Sequence, residues 1–550
     1  MKIQLKIAIL FSLLTTSCNY LDVDPEYVMA PETFYQSQED VVYGLTGIYG
    51  VINSEELYGN YYTLMLSNPD DLCYQNRAQS GNHPHWYTHT TSDTYVYKTW
   101  SKLYEGVKNA NEFMEAILES ELDEDGAYYA EARFLRAYYH FLLAQAWGDV
   151  PLRTSAVTSA EDVEIAATSQ REVLEWCASE MAAVEENFAK DDLTVAPYRI
   201  TRSAVQGILV RVYLFLAGES VEGVTDREQM WSNAALYAGK VISANIHRLN
   251  PDFDQVFINM ISDVYDTTYY ESIWEADFMG NHSSGSWSNG RIGDLLGLQS
   301  SGSDNNYSEW SCNYSYAQYN GSLKLWDLYF SDGAESTDAR QEWSLPPYNY
   351  NGYSSLGLAA SYDKSPYGYG SNNTFQEGFE NIAGGKRNAG KFRREVIYEG
   401  QMTAKDLYTS INYPILRYSD VLLMYAEACN ELGALSSGYD ALKQVRDRAG
   451  VETYEIGYYD QSSFRELVRN ERGRELAFEA LRKYDLIRWG IFVEQMNHYP
   501  VWASDDRWSS DATAARAAAI GDNVAAKHLY LPIPTLELGV NRLLKQNSLW

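Results

Sequence analysis

The sequence predicts a mainly α-helical protein: a tetratricopeptide-like helical-repeat body with a large, irregular, loop-rich inserted region. Three observations predict this fold class. Several blocks repeat apolar residues at three- and four-residue steps, small residues such as Ala426 and Ala428 occur where paired helices would cross, and one long central stretch loses the periodicity. No block carries the full consensus of a roughly 34-residue repeat, so we expect degenerate, interrupted repeats.

The helical periodicity is clearest in the first half of the chain. In 128–147, the side chains of Phe134, Tyr138 and Phe141 fall on one face, and Gly148 ends the block. The preceding stripe from Trp100 to Met114 predicts its antiparallel partner. The other predicted helical blocks are Ile200 to Ala217 with Trp231 to Ala244, Tyr418 to Leu432 with Gly438 to Arg448, and Ser463 to Leu481.

The N-terminus has the pattern of a secretory leader. Lys2 and Lys6 precede an apolar run over 7–14, and small residues then lead to Cys18. The run is shorter than the roughly 20 residues that span a bilayer, so we predict a signal peptide over 1–17 and a lipid on Cys18. Thr15 is unusual for a lipidation signal, and the alternative is cleavage elsewhere with Cys18 an ordinary residue.

The mature chain divides into four predicted parts. Residues 18–40 form a polar, lipidated tether, and 41–262 form an N-terminal helical-repeat module. Residues 263–405, rich in Gly, Ser, Asn and Tyr, form the insertion, either as long loops on a scaffold or as local disorder. Residues 406–550 form a C-terminal helical module and tail. Insertions in repeat proteins commonly lie on one face, where we expect part of the ligand site.

Charge and cysteine content exclude several classes of protein. The formal net charge is -32 without any basic tract, which argues against nucleic-acid binding and favours neutral ligands. Apart from Cys18, the four cysteines stand far apart without a C-x-x-C pair, so neither a disulfide framework nor a zinc site is predicted. We expect Cys177 and Cys429 to be buried on apolar helical faces.

Three groups of residues have the types of side chain that catalysis or metal binding uses. Glu471 and Glu475 stand one helical turn apart, but the surrounding arginines would keep both ionised, whereas an acid catalyst needs a raised pKa. His83, His85 and His89 cluster in one loop without a further ligand to complete a zinc site. The acidic run at 332–338 lacks the alternating spacing of a calcium loop and leaves calcium an open alternative. We therefore predict no enzyme activity, no cofactor and no metal site.

Two segments combine aromatic rings with polar side chains, which is the composition that sugar recognition requires. Sugar C–H faces stack on aromatic rings, while hydroxyl groups pair with amides, carboxylates or guanidinium groups. The first segment contains Asn76, Arg77, Asn82, His85, Trp86 and Tyr87. The second contains Trp287, Asn289, Arg291, Asp304, Asn306, Trp310, Tyr314, Tyr316 and Tyr319. We expect Trp287 and Trp310 to be exposed, and Trp100, Trp147 and Trp489 to lie in the core.

Several motifs, in order along the chain, resemble those of the RagB/SusD family of outer-membrane nutrient-binding lipoproteins. They cover nearly the whole mature chain. The motifs are YLDVDP at 20–25, EARFLRAYYHF at 131–141, GDVPL at 148–152, KFRR at 391–394, NYPILRYSD at 412–420, NERGRELAFE at 470–479, YDLIRWG at 484–490, LPIP at 531–534 and QN at 546–547. Their alternating arginines and carboxylates predict ion pairs between packed helices.

The resemblance implies a function as well as a fold. Members of the family are lipid-anchored at the surface of the outer membrane and have no membrane-spanning segment of their own. They sit over a SusC-like TonB-dependent transporter and deliver oligosaccharides to it or, in some members, peptides. We therefore expect oligosaccharide capture by the two aromatic segments. Peptide capture on the same scaffold and a purely structural repeat protein are the alternatives.

Overall fold

The structure is a computed structural model, and it describes most of the chain after the N-terminus. The described residues are 34–77, 81–118, 122–123, 125–157, 159–188, 196–278, 290–300, 312–330, 338–346, 348–349, 365–366, 387–400, 407–506, 508 and 512–550. Predictions that concern Cys18, Trp287, Asn289, Asp304, Asn306, Trp310 and most of the acidic run at 332–338 therefore fall outside the described residues.

Helices dominate the described part of the chain, as the periodicity predicts. The helices of the first half are α1 (Gln38–Tyr49), α2 (Thr94–Leu118), α3 (Ala127–Trp147), α4 (Gln170–Glu185), α5 (Arg202–Ala217), α6 (Arg227–Ser243), α7 (Phe253–Ile261) and α8 (Ile292–Leu295). Those of the second half are α9 (Leu323–Phe330), α10 (Arg340–Ser344), α11 (Val396–Glu399), α12 (Tyr418–Glu431), α13 (Leu435–Arg448), α14 (Gln461–Leu476), α15 (Arg482–Arg488), α16 (Phe492–Met496), α17 (Tyr499–Ala503), α18 (Ala512–Asn523) and α19 (Thr535–Val540).

The long helices pack side by side in one continuous array. α2 packs on α3, α3 on α4, α4 on α5 and α5 on α6, and α12 in turn contacts both α13 and α14. α6 packs directly on α12 although the whole insertion separates them in sequence. The array therefore continues across the insertion, which confirms a helical-repeat body that is interrupted in sequence.

Short strands tie the insertion to the helical array. β1 (Cys73–Gln75) pairs antiparallel with β3 (Tyr319–Gly321), and β2 (Ser272–Ala276) pairs antiparallel with β6 (Tyr413–Arg417). The two-residue strands β4 (Tyr348–Asn349) and β5 (Ser365–Pro366) form a third pair. One hydrophobic core extends from Val41 to Leu544 and includes residues of the insertion. The division at residues 263 and 405 stays a prediction.

Local sequence explains where the main helices begin and end. Ser169 caps α4 by accepting a hydrogen bond from the backbone N–H of Glu172, and Thr201 caps α5 in the same way. Gly148, with φ of +80°, ends α3 in a conformation that glycine adopts without strain. The boundary predicted at Leu481 is wrong. α14 ends at Leu476, because the backbone turns into the left-handed region at Phe478 and Ala480 before α15 begins.

A buried network of ion pairs joins the helices of the second half. The Arg417 guanidinium, fully buried, pairs with Glu271, Glu475 and Glu479, at nitrogen–oxygen distances of 3.0, 3.0 and 2.8 Å. The remaining buried pairs include Arg340 with Asp338 and Glu471, Arg472 with Asp420 and Asp485, and Arg488 with Glu427. The scaffold role predicted for the motif arginines is confirmed by this burial.

The residues assigned to the core by their helical position are buried. Trp100, Trp147 and Trp489 are each less than a tenth exposed. Cys177 and Cys429 are buried as predicted, and so are Cys73 and Cys312, none of which forms a disulfide. Burial raises the pKa of the Cys177 thiol well above its ordinary value.

Candidate functional site

The pairing of β1 with β3 brings the two predicted aromatic segments together. Cys73 lies opposite Gly321 and Gln75 opposite Tyr319. The pairing continues past the strands, because the backbone N–H of Asn76 donates to the carbonyl oxygen of Gln318 over 2.8 Å. Segments about 240 residues apart in sequence thus lie side by side.

Arg77 and Tyr316 form a contact between these two segments. The Arg77 guanidinium carbon lies 4.6 Å from the centre of the Tyr316 ring, and its Nη2 donates to the Tyr316 carbonyl oxygen over 2.6 Å. The cation–π contact and the hydrogen bond hold both side chains in one arrangement. Tyr316 is 39% exposed, so its ring remains available to a ligand.

Trp86 lies in the same region and is held by two hydrogen bonds. Its indole Nε1 donates to Gln75 Oε1 over 2.8 Å, and its carbonyl oxygen accepts from Asn523 Nδ2 over 3.0 Å. Gln75 Oε1 also accepts from the backbone N–H of Arg77, over 3.1 Å. One buried glutamine therefore positions the half-buried Trp86 and Arg77 together. We call Arg77, Trp86 and Tyr316 the platform.

Helix α18 contributes residues that the sequence interpretation missed. Asn523 holds the Trp86 backbone, and the Arg516 guanidinium donates to the carbonyl oxygen of Asn76. The alanine-rich sequence of α18 indicates a helix by its propensity. Nothing in the local pattern, however, places that helix beside a loop more than 400 residues away in sequence.

Arg291 and Tyr314 lie next to the platform. The Asp294 carboxylate pairs with Arg291 Nη2 at 2.5 Å, and its other oxygen accepts from the backbone N–H of Tyr316 over 3.0 Å. Burial opposes the charge on Arg291, yet the pairing with Asp294 raises the pKa of its guanidinium. Arg291 is thus a partly exposed cation whose charge is already balanced, and Asp294 also anchors the Tyr316 loop.

Four residues predicted for the binding surface are buried instead. Tyr87 is 3% exposed, because its hydroxyl donates to the Pro69 carbonyl oxygen and its ring packs on Phe492. Asn76 donates through Nδ2 to the Asn320 side chain over 2.5 Å. His85 and Tyr319 are fully buried as well. The expectation that these four side chains are available at the surface is wrong.

The loop histidines do not form a metal site. The rings of His83 and His85 stack with centroids 5.1 Å apart, whereas His89 packs separately on His528 and Trp550. Burial lowers the pKa of His85 to about 3, which keeps it neutral. Across the residues that the structure describes, no group of three or more histidine, cysteine or acidic side chains could hold a metal ion.

Two partly buried tyrosines extend the aromatic surface beyond the predicted residues. The rings of Tyr61 and Tyr95 meet edge to face with centroids 4.9 Å apart, and Tyr95 lies 6.3 Å from the His83 ring. The backbone N–H of Arg291 donates to the carbonyl oxygen of Gly59, two residues before Tyr61, over 2.9 Å. Tyr61 and Tyr95 occur in segments with helical character, and neither was predicted as a site residue from the sequence.

The carboxylates Glu471 and Glu475 have no access to a ligand. Both are fully buried. Burial opposes their ionisation, but the Arg340, Arg474 and Arg446 guanidinium groups lower the pKa of Glu471 to about 2. Arg448 and Arg417 act on Glu475 in the same direction. These two residues therefore belong to the ion-pair network and supply no acid catalyst.

The chemistry of the site is that of recognition. The partly exposed Tyr316 ring lies against the Arg77 guanidinium, and the buried Gln75 amide holds the Trp86 ring. Such an arrangement can stack on the apolar face of a ring and donate hydrogen bonds to its substituents. In the described part of the chain, no helix is long and apolar enough to cross a bilayer.

Two family models match the chain in succession. One described as starch-binding and associating with the outer membrane matches residues 19–214, and the model of the SusD family matches residues 270–550. A SusD-like protein of Formosa agariphila is 25% identical over all of this chain and 99% of its own length. A SusD-like protein of Bacteroides ovatus is 23% identical, over 91% of this chain and 85% of its own.

Solved structures of similar fold agree with these matches. A SusD homologue from Bacteroides thetaiotaomicron has a TM-score of 0.80 and 25% identity, covering 94% of this chain and 98% of its own. A laminarin-binding SusD-like protein has a TM-score of 0.67 and 20% identity, covering 94% of this chain and all of its own. The helical array, the order of the motifs and the family matches lead to one conclusion: this chain belongs to the SusD family.

Proposed function

We propose that this protein is a cell-surface lipoprotein that binds oligosaccharides and delivers them to a SusC-like TonB-dependent transporter in the outer membrane. The observation that carries the proposal is the convergence of Arg77, Trp86 and Tyr316 through the β1–β3 pairing. A binding role without catalysis is supported by the burial of Glu471 and Glu475. Similar proteins described as binding laminarin or surface glycans support the ligand class.

The platform supplies the two kinds of contact that an oligosaccharide needs. The Tyr316 ring offers an apolar face to sugar C–H groups, and the guanidinium of Arg77 offers donors to hydroxyl oxygens. Tyr314 and Arg291 extend the surface on one side. We also propose ligand contacts for Trp287, Asn289 and Trp310, which lie outside the described residues.

A glycan array followed by calorimetry tests the ligand class and the site together. We expect binding to at least one oligosaccharide family. The double variant Arg77→Ala, Tyr316→Ala should weaken that binding at least tenfold, which is about 1.4 kcal/mol. Tyr458→Ala removes an exposed ring elsewhere on the molecule and should leave affinity unchanged. A blank array together with binding of a peptide library would favour peptide capture instead.

Lipid attachment and partnership with a transporter are tested in cells. We propose that Cys18 carries the lipid and that the anchored protein covers the transporter. The wild-type protein should incorporate a labelled fatty acid and co-purify with a TonB-dependent transporter after gentle extraction of the outer membrane. Cys18→Ala should abolish fatty-acid incorporation. Normal labelling of that variant would refute the proposed anchor.

A further inference from the structure

A series of ring contacts leads away from the platform. The Trp86 ring meets the buried His85 ring at a centroid distance of 6.2 Å, and His85 stacks on His83 at 5.1 Å. The His83 ring lies 6.3 Å from Tyr95, which meets Tyr61 edge to face at 4.9 Å. Among the described rings, Trp86 has no contact with either Tyr95 or Tyr61. The two histidines therefore span the interval between the platform and the tyrosine pair.

Tyr61 differs from the residues around it because it is partly exposed. It is the first residue of the helical segment Tyr61–Ser67, and the other six residues of that segment are buried. Unlike Tyr95, Tyr61 is not one of the partly buried side chains that pack on the hydrophobic core of the described residues. The hydroxyl groups of Tyr61 and Tyr95 form no hydrogen bond within the described part of the chain, and neither oxygen is buried. The pair therefore presents ring surface and two hydroxyl groups to solvent.

Backbone hydrogen bonds hold both tyrosines in place. Asp93 caps α2, because its Oδ1 accepts from the backbone N–H of Tyr95 over 2.9 Å. The segment that leads to Tyr61 is held by the hydrogen bond from the Arg291 backbone to the carbonyl oxygen of Gly59. The two rings thus have fixed positions before a ligand binds, which lowers the entropy that binding must overcome.

Polar groups that suit sugar hydroxyls lie beside the two rings. The exposed Lys98 ammonium stands one helical turn after Tyr95 and 5.7 Å from the centre of the Tyr61 ring. It forms no ion pair with the carboxylates that the structure describes. Burial and the nearby carboxylates of Glu55 and Glu56 raise the pKa of Tyr61 to about 12, so its hydroxyl stays protonated and can donate. Ring faces and hydrogen-bonding groups are therefore present together, as sugar recognition requires.

We propose that Tyr61, Tyr95 and Lys98 form a second sugar-binding position, which we call the tyrosine subsite. This inference rests on the proposed function and extends it by naming the form of the ligand. The ligand is a linear oligosaccharide whose chain follows the ring series from Trp86, so that one unit contacts the platform and a later unit contacts the tyrosine subsite. A short chain on the platform leaves the tyrosine subsite empty and binds more weakly.

Calorimetry with sugar chains of graded length tests the tyrosine subsite. The probes are the disaccharide, tetrasaccharide and hexasaccharide of the cello-, laminari-, malto- and xylo-oligosaccharide series. In at least one series, we expect the hexasaccharide to bind the wild-type protein at least tenfold more tightly than the disaccharide, a gain of about 1.4 kcal/mol. The double variant Tyr61→Ala, Tyr95→Ala should lose this preference for length, while its affinity for the disaccharide stays unchanged.

Further variants separate the subsite from general effects of losing tyrosines. Tyr213→Ala, Tyr237→Ala removes another half-buried tyrosine pair, with stacked rings 5.8 Å apart on α5 and α6, and should keep the preference for the hexasaccharide. Tyr61→Phe, Tyr95→Phe keeps both rings and should retain most of that preference. Lys98→Ala, at an exposed position, should weaken hexasaccharide binding about threefold. It provides a readout even if the double alanine variant is unstable, and thermal unfolding shows which variants are folded.

Two results would overturn the tyrosine subsite and leave the proposed function in place. One is equal affinity of the wild-type protein for the disaccharide and the hexasaccharide in every series that binds. The other is a preference for length that persists unchanged in Lys98→Ala and, where it folds, in Tyr61→Ala, Tyr95→Ala. If no chain of any series binds the wild-type protein, the proposed function itself is contradicted, and the tyrosine subsite with it.

Discussion

Gln75 is a buried residue that positions two of the side chains that we propose as ligand contacts. It is fully buried, and one side-chain oxygen accepts from both the Trp86 indole and the Arg77 backbone. Two elements of the platform therefore share one acceptor. We expect the loss of that acceptor to leave the Trp86 indole and the Arg77 backbone without these hydrogen bonds. The side chains of Arg77, Trp86 and Tyr316 themselves would remain.

We predict that Gln75→Leu weakens oligosaccharide binding about three- to tenfold, as expected when a preorganised contact becomes mobile. Gln75→Glu, which retains an acceptor for the Trp86 indole, should preserve most of the affinity. Calorimetry with the oligosaccharide found on the array measures both. Gln229→Leu, an exposed position on α6, is the control. An equal loss of affinity in Gln75→Leu and Gln75→Glu would show that binding does not depend on the shared side-chain oxygen.

Glu471 illustrates the residues that hold the scaffold together. It is fully buried and pairs with Arg340, Arg446 and Arg474 at 2.7 to 3.0 Å. We predict that Glu471→Gln lowers the free energy of unfolding by about 3 to 5 kcal/mol at pH 7, because three guanidinium groups lose a buried counter-charge. Glu466→Gln, on the exposed face of the same helix, should change it by less than about 0.5 kcal/mol.

The pH dependence of that loss follows from the lowered pKa of Glu471. Burial opposes ionisation, but the arginines lower its pKa from 4.5 to about 2 in the folded protein. The stabilisation is therefore complete above pH 4.5 and is lost as the pH falls towards 2. The difference between wild type and Glu471→Gln, measured by denaturant unfolding, should shrink over this window. A difference that stays constant down to pH 2.5 would contradict the assignment.

At the scale of elements, close helix packing depends on small residues at particular positions. A side chain added at Gly106 of α2 would meet the Tyr139 ring at 2.5 Å. That ring cannot move away, because it is fully buried and its hydroxyl donates to the Ile48 carbonyl oxygen over 2.6 Å. Gly47 of α1 is exposed and has nothing within 4 Å of the corresponding position.

These two glycines form a matched pair for mutation. We predict that Gly106→Ala destabilises the protein by about 1 to 3 kcal/mol through overpacking. Gly47→Ala should be neutral or stabilising by up to about 1 kcal/mol, because alanine is the better helix former. Thermal unfolding of both variants provides the comparison. Equal midpoints would show that α2 and α3 can separate to accommodate a methyl group.

The helices and strands also show how much of the fold can be predicted from the sequence alone. The periodicity of 128–147 predicts α3 to within one residue at its start. A long helix is predictable because its apolar residues recur at every turn of the sequence. The β1–β3 pairing was not predicted, since strands of three residues carry almost no periodic signal. For the same reason the sequence identified Arg77, Trp86 and Tyr316 but not their juxtaposition, and it missed Asn523 altogether.

At the scale of the whole molecule, the net charge affects whether a neutral or a charged ligand is favoured. The chain carries a formal charge of -32, yet the platform contains a single cation, Arg77, and the neighbouring Arg291 is already paired with Asp294. We predict that affinity for a neutral oligosaccharide changes less than about twofold between about 0.05 and 1 M NaCl, since salt screens only interactions between charges. Calorimetry at several salt concentrations checks this. A steep loss of affinity with salt would indicate an anionic ligand bound by Arg77.

The four described cysteines have a practical consequence. Cys73, Cys177, Cys312 and Cys429 are all buried, and burial raises the pKa of each thiol. Thiol reagents attack the thiolate, so these positions should resist alkylation in the folded protein. A chain that begins after residue 18 lacks Cys18. A single cysteine introduced in it at the exposed position Tyr458 would then be the described thiol that reacts. A fluorophore attached there would report, molecule by molecule, whether the protein docks on the transporter that we propose as its partner.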